Sequence, residues 1–160
     1  MPNLFALLVG IDQYPPGIPT LSGCCNDITA FEMFLRERAG QSGFQLQLEP
    51  LKDVQASRQN VIDGFRQHLS RAGEGDVAIF YYSGHGSQNH TPQELWYLEP
   101  DHLDETLVCH DSRSPGEYDL ADKELAVLIA EAAKSNPHIL VIWIVATRDP
   151  GPGRRWRGMA

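Results

Sequence analysis

The chain has 160 residues, 42% of them apolar, 21% charged and 9% aromatic, with a net charge of −8. That length suits one domain with its own core, the composition excludes disorder as the main state, and no window reaches the ~18 consecutive apolar residues of a membrane span. The acidic balance argues against non-specific binding to nucleic acid or anionic lipid, and three cysteines, two of them adjacent, make a poor disulfide framework and suit a reducing cytosol.

Residues 4–11 (LFALLVGI) are a nearly continuous apolar run, as expected of a strand buried on both faces of a parallel sheet. They lack the basic flank and small-residue cleavage site of a signal peptide. After a Pro/Gly turn, Asn26 and Asp27 are candidate N-caps of a helix over 26–38, with Ile28, Phe31, Phe34 and Leu35 at helical spacing. Phe44, Leu46 and Leu48 alternate with polar residues and predict a half-buried strand. Ser57 is placed to cap a second helix whose apolar face is Val61, Ile62, Phe65 and Leu69.

Residues 76–82 (DVAIFYY) predict a further buried strand running straight into Ser83-Gly84-His85-Gly86-Ser87. Two short extended pieces, Leu95 to Leu98 and Thr106 to Val108, suggest a hairpin. A third helix is expected over about 121–134 with Leu125, Leu128 and Ile129 inward, then a buried strand over 139–145 (ILVIWIV). This order points to an α/β sandwich with a mainly parallel sheet. Residues 147–160 carry four arginines and one aspartate, whereas residues 1–146 carry nine basic and twenty acidic side chains, a net of −11. The tail is rich in Arg, Pro and Gly and has no apolar periodicity.

Sites in open α/β sheets gather beyond the carboxyl ends of the strands. His85 between two glycines after a buried strand is expected to project from a sharp turn, with the Gly86 N–H free to face a developing oxyanion. The competing reading is an exposed turn histidine. Cys24, Cys25, Asn26 and Asp27 fall at the same sheet edge; Asp27 is either a buried anchor for a basic substrate group or a plain helix cap. Zinc is not expected, because no His/Cys pair has the right spacing. Calcium on Asp119, Asp122 and Glu124 is one reading of that cluster, but a solvated helix start explains it more cheaply. The chain has no dinucleotide fingerprint, Walker loop or serine elbow, which leaves SGHGS as the one candidate phosphate loop.

Five segments, ALLVGIDQY at 6–14, LSGCCND at 21–27, FYYSGHGS at 80–87, DETLVCHDS at 104–112 and HILVI at 138–142, together resemble the caspase-like cysteine peptidases. The likeness is greatest to the metacaspases and their bacterial relatives. It implies a caspase-like three-layer α/β sandwich and an endopeptidase that cleaves after Arg or Lys. It implies His85 as general base, the Gly86 N–H in the oxyanion hole, and Asp27, Ser83 and Cys24 lining the pocket for the residue before the cut. A carboxylate there suits a guanidinium where water is scarce. The resemblance implies no organic cofactor and carries calcium as a weak suggestion.

The sequence departs from the family after Ile142. There the family reads Leu-Asp-Cys-Cys-His-Ser-Gly, with the cysteine before the histidine as nucleophile; this chain reads Trp143-Ile144-Val145-Ala146-Thr147-Arg148-Asp149-Pro150, with Ala146 in the nucleophile's place. Restoring one nucleotide before the Trp143 codon permits Leu-Asp-Cys-Cys-His-Ser-Gly-Ser in the shifted frame. The expectation is therefore a one-nucleotide deletion, an incomplete caspase-like domain over 1–146 whose C-terminal strands are missing, and an out-of-frame tail over 147–160.

Three functions follow for test. The first is a cytoplasmic caspase-like endopeptidase domain, acting on peptide or protein substrates with a basic residue, inactive as written, whose intact relatives carry further domains. The second is a non-catalytic relative that binds basic peptides or partner subunits. The third is a phosphate-binding module using SGHGS. In each case Ile139 to Val145 is expected to form an uncovered sheet edge.

Overall fold

The computed structural model describes residues 1–90, 93–95, 97 and 102–146. Its first strand, β1 (Asn3–Gly10), is buried over almost its whole length. The period of two explains why: Phe5, Leu7 and Val9 enter one core, and Leu4, Ala6 and Leu8 enter the other. Helix α1 (Cys24–Ser42) covers the second core with Ile28 and Leu35. The first core takes Val61 and Phe65 from α2 (Arg58–Asp63) and the wide turn that prolongs it (Gly64–His68), and Leu125, Leu128 and Ala132 from α3 (Asp122–Ala132). Helices on both faces of one sheet make the expected three-layer, caspase-like sandwich.

Strand β2 (Gln45–Lys52) pairs with β1, and β1 with β3 (Val77–His90), both in parallel. Strand β6 (His138–Ala146) lies parallel on the other side of β3. The far end of β3 instead pairs antiparallel with β4 (Leu103–Leu107), which pairs with the two-residue β5 (Leu120–Ala121). Among the described residues β6 pairs only with β3, and Leu140, Trp143 and Ile144 remain 47%, 52% and 50% exposed. The expected apolar edge is there.

Several local expectations change. Helix α1 starts at Cys24, so neither Asn26 nor Asp27 caps it; the Asp12 carboxylate accepts the N–H groups of Cys24 (2.8 Å) and Cys25 (3.1 Å) from outside the helix. Phe34, expected inward, is half exposed, and Phe31 alone of the pair stacks on the sheet, 4.8 Å from the Tyr81 ring. Ser57 does cap α2, its Oγ accepting the Asn60 N–H at 3.1 Å. Of the piece expected at Leu95 to Leu98, the described part of Gln93–Leu95 is a 3₁₀ turn, and the rest, like the 147–160 tail, lies largely outside the described residues. No helix among the described residues is long and apolar enough to cross a membrane.

The largest change concerns SGHGS. It is no turn: β3 runs through it to His90, and His85 sits inside the strand, opposite Ala146 of β6. The two glycines answer to close approach. A Cβ at Gly84 would lie 2.6 Å from the Tyr82 hydroxyl and 2.8 Å from that of Tyr14, and one at Gly86 would lie 3.0 Å from Val145 Cβ.

Candidate active site

His85 marks the residue where β3 exchanges its parallel neighbours for an antiparallel one. The imidazole Nε2 lies 2.8 Å from the Pro19 carbonyl oxygen, and Nδ1 lies 3.2 Å from the Ala146 carbonyl oxygen. A neutral imidazole has one N–H. Both ring nitrogens thus face carbonyl oxygens, which only accept, and the single N–H serves one of them; donated to the nearer, Pro19, it leaves Nδ1 unprotonated on the side of β6 at position 146. Gly86 is the next residue of the same strand, opposite Leu107 in the antiparallel ladder.

At the same sheet edge, the buried Ser83 hydroxyl donates to Asp27 Oδ2 at 3.0 Å. Asp27 is exposed on the first turn of α1, which corrects the expectation of a buried anchor. Two carboxylates missed by sequence reasoning stand nearby. Asp12 carries the α1 N-terminus, and Asp53 Oδ1 accepts the N–H groups of Asp12 and Gln13, each at 2.8 Å. Burial pulls the Asp12 pKa upward, but the N–H groups of Cys24 and Cys25 outweigh it and hold the carboxyl below its usual 3.8. Among the described residues no lysine, arginine or histidine pairs with Asp12, Asp27 or Asp53, so this edge is acidic and open to a cationic group.

None of the three cysteines is placed to replace a nucleophile. Cys109 is wholly buried, and burial pushes its thiol up to about 12. Burial and the Asp53 and Asp12 charges do the same to Cys25, also to about 12, while its Sγ contacts the Gly10 carbonyl at 3.4 Å. Cys24, buried beside Ser83, has its pKa raised by burial as well. Such thiols stay protonated at neutral pH.

The carboxylates suggested for calcium do not fit a cation site. Asp119 Oδ2 accepts from Thr106 Oγ1 (2.9 Å) and Arg113 Nη2 (2.8 Å). Lys123 Nζ pairs with Asp104 and lies 3.6 Å from Asp122. Glu124 pairs with Arg58 and accepts the Ala121 N–H at 3.1 Å. Each already has a basic side chain, and among the described residues no three His, Cys, Asp or Glu converge on one point.

Comparison with known proteins bears on the family and the fold. The metacaspase, peptidase C14 domain family matches residues 5–142. Metacaspase-1 of Schizosaccharomyces pombe is 34% identical over 116 residues, covering 70% of this chain and 26% of the relative. Metacaspase-1 of Mycosarcoma maydis is 31% identical over 127 residues, covering 78% and 30%. The chain thus spans about a third or less of the length of these relatives. A crystal structure of a Geobacter sulfurreducens protein superposes with a TM-score of 0.67 over 91% of this chain and 50% of that one, at 24% identity, and shares the fold. On the sequence match and the fold together, this chain belongs to the metacaspase (peptidase C14) family of caspase-like proteins.

Proposed function

We propose that the chain is a caspase-like cysteine endopeptidase domain by descent, recognising Arg or Lys before the scissile bond and carrying no nucleophile of its own. One observation carries this reading: the register sets Ala146, the position of the missing cysteine, directly beside His85. The residue paired with the base is an alanine, whose side chain carries no nucleophilic atom, so acyl-enzyme chemistry has no starting atom. The family match ends at Ile142, the residue after which the sequence departs. The basic-residue preference rests on the unneutralised Asp27, Asp12 and Asp53 at the same edge. That charge also disfavours phosphate on SGHGS, as does the strand conformation of this segment.

The test restores the nucleophile. In Ala146→Cys the new thiol should titrate below the ~8.5 of a free cysteine, because imidazolium at His85 stabilises the thiolate. Alkylation by iodoacetamide near neutral pH should then be fast, and His85→Ala should slow it by about tenfold. Of the other three cysteines, Cys24 and Cys109 are buried from the reagent, and the Cys25 thiol is pushed up to about 12. A frame-restored chain carried to its natural end should cleave fluorogenic peptides ending in Arg or Lys, and the chain as written should not. Activity in the unaltered chain overturns the assignment of position 146; alkylation indifferent to His85 overturns the pairing.

A further inference from the structure

The backbone of His85 is held in an unusual way. Its N–H donates to the Tyr14 hydroxyl at 2.9 Å, and its carbonyl oxygen accepts from the Tyr82 hydroxyl at 2.7 Å and from the Val108 N–H at 3.0 Å. Tyr14 Oη in turn donates to the Val108 carbonyl at 3.0 Å. Tyr82 Oη also lies 2.8 Å from the Val108 carbonyl, so its one O–H serves either His85 or Val108; in both cases Tyr14 donates to Val108 and accepts from the His85 N–H. The Tyr14 ring also packs against the imidazole, with centroids 5.0 Å apart. Both tyrosines are buried, and Tyr82 completely so.

We infer that Tyr14 is a positioning residue for His85: with Tyr82 it clamps the peptide unit of the base and, through its ring, aims Nδ1 at position 146. Two features of the sequence follow from this. Gly84 has no side chain because the two hydroxyls occupy the space of its Cβ. The aiming comes from one loop, because Tyr14 and Pro19, whose carbonyl faces Nε2, both lie between β1 and α1. A hydrogen-bonded frame that holds a base within a few tenths of an ångström is worth more to catalysis than to stability.

The inference rests on His85 being the base, and its test separates the two. Ring-¹⁵N-histidine spectra of the unaltered chain report the His85 tautomer without any nucleophile. The Nε2–H form should dominate in the parent chain and lose that dominance in Tyr14→Leu, which lacks both ring and hydroxyl. Tyr14→Phe keeps the ring and should move the tautomer less while shifting the His85 backbone amide. In the Ala146→Cys background, Tyr14→Phe should slow alkylation by roughly tenfold, and Gly84→Ala, which displaces both hydroxyls, should act similarly. The two changes combined should be markedly less than additive. A parent-like tautomer in Tyr14→Leu, or full additivity with Gly84→Ala, overturns the clamp. Alkylation that ignores His85 sinks the base assignment instead, and the tautomer then decides the clamp alone. Gly84→Ala and Tyr14→Phe act on different elements, so misfolding of one, seen by circular dichroism, leaves the other to decide.

Discussion

Two acidic regions of this molecule have similar composition and opposite design. Around β4, β5 and α3, each of Asp104, Asp119, Asp122 and Glu124 meets a basic side chain: Lys123, Arg113, Lys123 again and Arg58. At the ends of β1 and β3, Asp12, Asp27 and Asp53 meet uncharged N–H, hydroxyl and thiol groups. The first arrangement cancels charge and joins elements. The second holds the carboxylates in place and leaves their charge uncancelled, which is what a site for a cationic side chain requires. A run of acids in sequence therefore says little; the partner says what the acid does.

The comparison breaks first at Lys123. Asp104 is buried, and replacing Lys123 by methionine takes away an ammonium that it pairs with, so thermal unfolding should show a loss on the order of 1–3 kcal/mol. Adding Asp104→Asn to Lys123→Met should recover much of it. A change within the scatter of surface substitutions would mean that this cluster is no more structural than the other.

The second test runs the other way. Asp27→Asn removes an exposed charge, so stability should change by less than about 0.5 kcal/mol. Affinity for an arginine-ended peptide should nevertheless fall by about tenfold, the loss of one charge-assisted contact, as read by NMR titration. Equal affinity in parent and variant would remove Asp27 from the pocket.

A smaller effect comes from a charge the fold keeps off. Burial depresses the pKa of His68 below its ordinary 6.5, overcoming the nearby Glu49 carboxylate and the carbonyl of Gln47, with Arg71 acting in the same direction as burial. The folded state thus binds fewer protons than the unfolded chain. Its contribution is present above about 6.5 and is lost as pH falls through the folded value. Melting temperature should decline on acidification from neutral pH, and His68→Gln should flatten that decline. A rise in stability on acidification would reverse the sign.

The smallest expected effect is none. Since the carboxylates near α3 already hold basic side chains, millimolar calcium should leave the melting temperature of the parent chain unaltered. A calcium-dependent rise that persists in Asp27→Asn would show a second acidic site of the open kind.

Much of the sheet was legible. The apolar runs of β1 and β3 identify themselves because strands covered on both faces have no polar alternation to hide in; the run of β6 reads the same way, yet no residue of that strand is fully buried, because among the described residues it pairs only with β3. Caps and partners were less so. Asn26 and Asp27 sit where a local cap should be, yet Asp12, twelve residues before Cys24 and beyond the Pro/Gly turn, does the work, and the one-turn spacing by which caps are read does not reach it. SGHGS reads as a turn because glycine usually marks one, but here it marks the close approach of tyrosine hydroxyls and of Val145.

The sequence by itself determined the α/β order, the family, and the point after Ile142 where the chain departs from it, all of which depend on residue type and order along the chain. Only the tertiary structure decided that Ala146 lies beside His85, that two tyrosines clamp that histidine, and which acids are cancelled and which are left open. Those are contacts between residues tens of positions apart. Their energies depend on distance and burial, which the packed fold sets.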